Sequence, residues 1–464
     1  MFKDLFRKKI AIVENNKDLH RCLSAFDLVM LGIGCIIGTG IFVLTGIVAA
    51  NQAGPGVIFS FLIAGFACAF AALSYAELAS SIGGCGSAYG YSYVAFGEFI
   101  AWMVGWILLL EYGIAIAAVA NGWSGYFNNA LIAVGLGLPD FLTRPPAQDG
   151  IINLPASLII LMIMGLLILG VKQSAKFNAA MVFLKVAAIA IFILIALFHV
   201  NPINWSPFLP YGWFDTLPSG KTVGVLAGAS IVFFAYIGFD AVSTAAEEAI
   251  NPQRDLPIGI IGSLIFCTLI YISVSALLTG MLPYTNLNVS SPVAFALQKI
   301  GLNSASAIVA TGVIAGLTTV MLVLYYALTR IILAMSRDGL LPIKLSNINP
   351  RTRTPIKLII ICGLVMSLIA GFVSLGTLAE IVNIGTLSAF TVVCFGVIAL
   401  RNHGKKNSLT FRNKWHPLVP LMGISACILL MTFLPLATWV RFFSWLLVGI
   451  LIYFIYSYKN SKLN

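Results

Sequence analysis

The stretch Ile231-Val-Phe-Phe-Ala-Tyr-Ile-Gly-Phe-Asp240 decides the fold class, because an apolar run is interrupted by a glycine and ends in an acid. A charged side chain at the centre of a bilayer costs about 2.5–3.5 kcal/mol on insertion scales, so it normally faces the inside of a helix bundle or a cavity. A glycine weakens a helix by about 1 kcal/mol relative to alanine. The stretch therefore predicts a membrane helix that is broken near its middle.

A stretch close to the N-terminus has the same character. Leu31-Gly-Ile-Gly-Cys-Ile-Ile-Gly-Thr-Gly-Ile-Phe42 carries four glycines within nine residues. Taken alone, the spacing of Gly34 and Gly38 also suits close packing of two membrane helices. Taken together, the two stretches predict two interrupted helices. The unpaired N–H and C=O groups of such a break are tolerated only where they face a cavity or a ligand.

The composition indicates an all-α integral membrane protein. Of the 464 residues, 60% are hydrophobic and 9% are charged, and the mean hydropathy is +0.99. Soluble domains usually carry about 25% charged residues. The eight cysteines form no C-x-x-C pair or His–Cys cluster, so neither a metal site nor a disulfide framework is predicted.

A membrane-spanning helix needs about 20 mostly apolar residues. Twelve stretches meet this requirement, at 26–50, 57–82, 99–127, 155–171, 177–199, 222–246, 258–283, 304–336, 356–374, 378–400, 416–435 and 438–458. We number them helices 1 to 12 and expect cytoplasmic tails at 1–25 and 459–464.

The lysines and arginines predict the orientation. With the N-terminus inside, 22 of the 27 fall on the cytoplasmic side and four outside, while Lys185 lies within helix 5. The net charge of +11 thus reflects topology, and no nucleic-acid partner is expected. The expected surroundings are a cell membrane, crossed several times, with both termini in the cytoplasm.

The order of the helices predicts a 5+5 inverted repeat. Residues 26–199 hold helices 1–5 and residues 222–401 hold helices 6–10, with helices 11 and 12 following at 416–458. Because each set has an odd number of helices, the second set begins on the opposite side of the membrane. Interrupted helices at matching positions in two such halves mark the binding site of a secondary transporter. The N–H groups of one half-helix suit a carboxylate and the carbonyls of another suit an ammonium, and a free amino acid carries both groups.

Three charged residues lie at membrane depth. Glu111 is about 18 Å into helix 3, at 1.5 Å per residue, and faces the bundle interior either as a structural residue or as a functional one. Lys185, about 12 Å into helix 5, can snorkel to the interface or can reach the opened backbone of helix 1 near Gly38 and Gly40 and carry one proton per cycle. Asp240 opens the second half of helix 6, where it favours the helix dipole or handles protons.

These residues belong to a set of motifs that resembles a known family. The set comprises Gly38-Thr-Gly-Ile-Phe42, Ser87-Ala-Tyr-Gly90, Phe233-Phe-Ala-Tyr-Ile-Gly-Phe-Asp240, Glu247-Glu-Ala-Ile-Asn-Pro252, Asp255-Leu-Pro257 and Ser336-Arg-Asp-Gly-Leu-Leu-Pro342. Over helices 1–10 the chain resembles bacterial-type members of the cationic amino acid transporter branch of the amino acid–polyamine–organocation superfamily. The resemblance implies a leucine-transporter-type fold and secondary active transport of L-amino acids by alternating access.

The resemblance also implies a site for each part of the substrate. The carboxylate is expected at the backbone N–H groups of Ile37, Thr39 and Gly40 and at the Thr39 hydroxyl. The α-ammonium is expected at the carbonyls of Ala235 and Ile237, under an aromatic lid formed by Phe234. The side-chain end is expected against Met321 and Leu324 of helix 8, and Glu111 and Lys185 match charged positions of the branch.

Substrate and coupling ion stay open at this point. Met321 and Leu324 are apolar, which favours neutral amino acids, although cationic ones are possible. Proton symport is expected, with Lys185, Glu111 and Asp240 as the coupling residues and no cofactor. A sodium-coupled carrier with ligands from Thr318 and Thr319, or an amino acid exchanger, is the alternative. The spans contain neither the polar lining of a channel nor a cluster of enzymatic groups.

Overall fold

The computed structural model describes residues 5–9, 23–82, 87–133, 135–170, 175–218, 220, 222–246, 248–349, 352, 354–402 and 415–463. Most of the predicted N-terminal tail and Glu247 lie outside these residues. The helices are, in order, α1 Ala25–Ile36, α2 Thr45–Val48, α3 Val57–Ile82, α4 Ser87–Ala95, α5 Glu98–Ala133, α6 Leu154–Ile168, α7 Ala175–Leu197, α8 Val225–Val232, α9 Pro252–Met281, α10 Pro292–Lys299, α11 Asn303–Arg337, α12 Ile356–Phe372, α13 Leu375–Asn402, α14 Leu418–Thr432, α15 Leu436–Ile452 and α16 Tyr458–Asn460.

Shorter elements complete the described chain. Two residues each form strands β1, Asp215–Thr216, and β2, Thr222–Val223, which pair antiparallel. The π-helical turns are Gly40–Leu44, Ala49–Ala53 and Tyr453–Ser457. The 3-10 turns are Gly54–Gly56, Asp140–Leu142, Pro146–Gln148, Pro202–Trp205, Phe233–Tyr236, Asp240–Ala245, Tyr284–Leu287 and Ile343–Ser346.

The helices are those of a protein that crosses a membrane several times. In the described part of the chain, eight helical segments are long and apolar enough to cross a bilayer. Four shorter apolar helices, α1, α6, α12 and α14, accompany them. Every predicted stretch coincides with one of these segments, although the count of twelve spans and the inverted repeat stay predictions.

Two helices, α4 and α10, were not predicted from the sequence, because each lies in a connection between apolar stretches. Helix α4 follows α3 and is buried along most of its length. Helix α10 begins with Pro292, whose missing N–H group suits the first helical turn. Both are shorter than a membrane span, so a search for apolar stretches of about 20 residues does not find them.

Three tryptophans attach α15 to α5. The indole rings of Trp106 and Trp445 stack with centroids 4.4 Å apart, and those of Trp102 and Trp106 stack at 5.6 Å. The ring N–H of Trp102 donates to the carbonyl of Gly449, and Trp106 and Trp445 each donate to the backbone of the other. Because these polar edges are bonded, the rings can be buried without an unpaired donor.

The two ends of the described chain meet beside α4 and α5. Glu98 accepts hydrogen bonds from Ser461 at 2.5 Å and from Tyr453 at 3.1 Å. Asp338, which follows α11, accepts from Tyr89 at 2.7 Å and pairs with Lys9 at 2.9 Å. Residues close to both termini thus contact the same end of the bundle.

Candidate functional site

Helix 1 is broken directly after α1. The first turn of α1 is fixed by a capping box, in which Ser24 and Asp27 exchange hydrogen bonds. At its other end, Ile37 is extended, with φ −72° and ψ 99°, and the chain resumes as the π-helical turn Gly40–Leu44. The predicted interruption of this helix is therefore present, at Ile37 and Gly38.

Helix 6 is broken in a similar way. Helix α8 ends at Val232 and tightens into the 3-10 turn Phe233–Tyr236. Ile237 is then extended, with φ −62° and ψ 135°, and Gly238 has a φ of 118°, a conformation that favours glycine. A second 3-10 turn begins at Asp240. The break lies where the glycine and the acid of the opening sequence predicted it.

The two breaks lie against each other. A Cβ atom added to Gly40 would lie 2.3 Å from the Cα atom of Ala235, and one added to Gly238 would lie 2.9 Å from the Cβ atom of Cys35. Both distances are too short for carbon atoms in contact. Glycine is thus required at both positions for the backbones of the two broken helices to approach this closely.

Two buried side chains bind the carbonyl groups freed by the breaks. The Lys185 ammonium, on α7, donates to the carbonyls of Gly34 at 2.5 Å and Ile37 at 3.0 Å. The Tyr271 hydroxyl, on α9, lies 2.9 Å from the carbonyl of Ile36 and 2.7 Å from that of Ala235. A single hydroxyl thereby links the two breaks.

The position of Lys185 decides between the two expectations for it. The side chain is 0% exposed, so the snorkelling alternative is wrong. The lysine does reach the opened backbone of helix 1, although one turn earlier than expected, at Gly34 and Ile37 instead of Gly38 and Gly40. The carbonyls of an ending helix project forward from its last turn, and these are the groups within reach of the ammonium.

Asp240 and Glu111 are buried close to the helix 6 break. Asp240 accepts hydrogen bonds from the Tyr112 hydroxyl at 2.8 Å and from the Gly238 N–H at 3.2 Å. Glu111 is 1% exposed and lies near enough to Asp240 for their charges to interact. The side chain of Thr386 on α13 lies beside the Glu111 carboxylate. The Cβ atom of Glu111 lies near the backbone of Gly385 on α13.

The other predicted contact residues are also buried. Thr39 is 0% exposed and its hydroxyl lies 3.5 Å from the carbonyl of Val119, so it faces α5. Phe234 is 6% exposed and lies in the turn that precedes the helix 6 break. Met321 and Leu324 are 0% and 4% exposed on α11.

Helix α11 contacts helix 1 and Lys185 through its small and β-branched residues. The Val320 side chain would lie 3.8 Å from a Cβ atom added to Gly38, and Gly316 lies against the stem of Lys185. The hydroxyls of Thr318 and Thr319 donate to carbonyls of their own helix, and Thr318 also accepts from the Trp123 indole. Both threonines proposed as sodium ligands therefore already have protein partners.

Three residues next to the breaks were not predicted from the sequence: Tyr271, Tyr112 and Asn383. Each is buried and donates from its side chain to a helix break or to the residues next to it. A tyrosine in an apolar stretch carries no local sign of its partner, because an aromatic residue there is usually part of the core. Asn383 did offer a signal, as a polar amide within the apolar stretch 378–400.

Comparison with known proteins shows which family the chain belongs to. The amino acid permease family profile matches residues 23–456. The methylthioribose transporter of Bacillus subtilis (strain 168) is 49% identical, and the branched-chain amino acid permease BcaP of the same organism is 47% identical, each over 99% of both chains. The vacuolar cationic amino acid transporter 4 of Arabidopsis thaliana is 41% identical over 82% of this chain and 64% of its own. The chain belongs to the amino acid permease family.

Proposed function

We propose that the protein is a secondary transporter that carries neutral L-amino acids across the cell membrane together with protons, by alternating access. The observation that carries the proposal is the contact between Lys185 and the helix 1 break. A buried ammonium bonded to two freed carbonyls can exchange a proton only when a path to water opens. Its proton is thus linked to the position of helix 1.

The proposed substrate site lies between the two breaks. The first N–H groups of a helical segment have no partner within that segment, so those of Thr39 and Gly40 are suited to a carboxylate. The N–H of Ile37, the third expected donor, already donates to the carbonyl of Ile33 at 3.1 Å. The carbonyls of Ala235 and Ile237 are suited to the α-ammonium, and Phe234 would close over the site. What supports this arrangement is the direct approach of Gly40 to Ala235, which brings donors and acceptors together.

The side-chain end of the site favours a neutral substrate. Met321 and Leu324 are apolar, buried and three residues apart, so they share one face of α11. The similarity to a branched-chain amino acid permease supports a neutral aliphatic substrate. The greater similarity to a methylthioribose transporter makes a small neutral thioether sugar the second candidate. Cationic amino acids would require Glu111 as their charged partner.

The contacts of Lys185 with two other helices support proton coupling. The Lys185 stem lies against Gly316 of α11, and its ammonium lies against helix 1, so one positive charge already connects these helices. The hydroxyls of Thr318 and Thr319 donate to carbonyls of their own helix, and their oxygen lone pairs are the groups that a sodium ion would bind. In this proposal Asp240 and Glu111 form a second, connected pair of proton-binding groups, and a sodium-coupled carrier or an exchanger is the alternative.

Uptake by proteoliposomes tests the proposal. Purified protein is reconstituted, and accumulation of L-leucine, L-arginine and methylthioribose is measured under a proton gradient alone, a sodium gradient alone, and neither. We expect uphill uptake of L-leucine under the proton gradient only. Accumulation under the sodium gradient alone would contradict proton coupling, and uptake that requires internal amino acid in all conditions would identify an exchanger. The orientation, with both termini in the cytoplasm, is tested by labelling cysteines introduced at each end of the chain.

A further inference from the structure

Asn383 lies on α13 beside the last turn of α8. Its side chain is 0% exposed, and its amide nitrogen donates to the carbonyls of Ser230 at 2.8 Å and Ile231 at 3.0 Å. These carbonyls lie in the last turn of α8, just before the chain tightens into the 3-10 turn Phe233–Tyr236. Carbonyl groups in the last turn of a helix can accept from side chains of other helices, and the amide of Asn383 binds two of them here.

The oxygen of the same side chain has no such role. It is buried, and within the described part of the chain it has no hydrogen-bond partner. A buried acceptor without a partner is costly, and a donor alone would be enough to bind the two carbonyls. The structure therefore retains an acceptor beside the last turn of α8 that the fold does not use.

Asn121, on α5, provides the comparison. It is also buried in the bundle, and its amide nitrogen also donates to two carbonyls, those of Ala117 and Ala370. Its oxygen, however, accepts a hydrogen bond from Asn153 at 3.1 Å. A buried asparagine that only supports the fold thus has both ends paired, whereas Asn383 has one end free.

We propose that Asn383 is a substrate-binding residue whose side-chain oxygen accepts a hydrogen bond from the α-ammonium of the transported amino acid. The inference rests on the proposed function. An ammonium has three N–H donors and no acceptor, and the carbonyls of Ala235 and Ile237 account for two of them. Asn383 supplies the third acceptor, since its amide is bound at Ile231, which precedes Ala235 by about one helical turn.

An amide oxygen suits this position better than a carboxylate would. The carboxylate of a free amino acid is only one carbon atom away from its ammonium, so an anionic residue here would repel it. The amide oxygen accepts a hydrogen bond without this repulsion. The same side chain holds the end of α8, so substrate binding and the shape of the helix 6 break share one residue.

The test compares an amino acid with its N-methyl derivative, in order to find out how many hydrogen-bond acceptors the protein offers to the α-ammonium. An N-methyl amino acid keeps its charge and has two N–H donors, so it leaves one of three acceptors unsatisfied. Dissociation constants are measured in detergent for L-leucine, or for whichever amino acid the wild-type protein binds best, and for its N-methyl derivative. We expect the wild-type protein to bind the N-methyl derivative about tenfold more weakly.

Asn383→Ala should remove this difference. The variant should bind the amino acid about tenfold more weakly than wild type, and it should bind both ligands about equally, since two acceptors remain for two donors. Asn383→Ser, whose hydroxyl can still bind one helix carbonyl, replaces it if the alanine variant is not monodisperse. Asn121→Ala is the matched control and should keep the wild-type ratio of the two constants.

Each other outcome counts against the proposal. A wild-type ratio close to one means that there is no third acceptor. An unchanged ratio in the Asn383 variants means that the residue only supports the fold. If the wild-type protein binds no amino acid, the proposed function itself fails and this inference fails with it.

Discussion

Arg401, near the end of α13, donates two hydrogen bonds of 2.6 Å to the carboxylate of Glu77 on α3. The Glu77 side chain is 2% exposed and that of Arg401 is 17% exposed. Two parallel contacts between a guanidinium and a carboxylate form the strongest geometry for such a pair. The pair therefore fixes α13 to α3 at one end of the bundle.

We expect Glu77→Gln to lower the melting temperature in detergent substantially, because removing one partner of a buried ion pair costs about 3–5 kcal/mol. The matched control is Glu248→Gln. Glu248 faces Arg330 across 3.6 Å with both side chains about one-third exposed, so its loss should change the melting temperature little. Equal shifts in the two variants would show that the Glu77 pair has no special role.

Replacing Lys185 should abolish coupling to protons. Lys185→Ala removes the group that binds the carbonyls of Gly34 and Ile37, and Lys185→Arg replaces it with a group that does not lose its proton. Both variants should lose accumulation driven by a proton gradient in proteoliposomes. Lys299→Ala, on α10, removes a lysine outside the bundle core and should accumulate substrate normally. Uphill, pH-dependent uptake by both Lys185 variants would contradict this role for Lys185, and Glu111 and Asp240 would then be the candidates for carrying the proton.

A side chain at Gly40 should prevent substrate binding. Even the single methyl group of Gly40→Ala would overlap the backbone of Ala235, and Gly40→Val would add more volume. We expect both variants to remain monodisperse in detergent and to show no measurable binding. Gly113→Ala on α5 is the control, since no atom lies within 4 Å of the added methyl group. If Gly40→Val bound the substrate with wild-type affinity, helix 1 would not form the carboxylate site.

Shortening the side chains on α11 should change which amino acids bind. Met321→Ser and Leu324→Ser each remove buried apolar volume, and the space should accept longer or cationic side chains. Competition binding with a panel of amino acids measures the rank order. Leu322→Ser removes similar buried volume from a different face of α11 and should keep the wild-type order. If all three variants preserve the order, Met321 and Leu324 do not line the site.

The helices and the two breaks could be predicted from the sequence because both depend on local chemistry. Helix α3 begins and ends at the predicted residues, since the Gly-Pro-Gly turn at residues 54–56 separates it from helix 1. The helix 6 break lies at Gly238, where the backbone conformation itself calls for glycine. The burial of Lys185 was one of two outcomes that the sequence left open, and the structure decided between them.

The partners of the broken backbone could not be predicted, because they are distant in sequence. Tyr271 is 235 residues from Ile36, and Asn383 is 153 residues from Ser230. Which helix face meets a break depends on packing between helices, and helices this apolar on every side show no preferred face in the sequence. For the same reason the free oxygen of Asn383 became visible only in three dimensions.

The stacked indoles of Trp102, Trp106 and Trp445 provide an intrinsic spectroscopic probe of the contact between α5 and α15. Three of its eight tryptophans lie in one column, so their electronic transitions couple and should give a paired positive and negative band in the circular dichroism spectrum. The column bridges α5 and α15, and any separation of these helices removes the coupling. The docking of α15 can thus be followed without a label, in detergent or in lipid, while substrate and pH are varied.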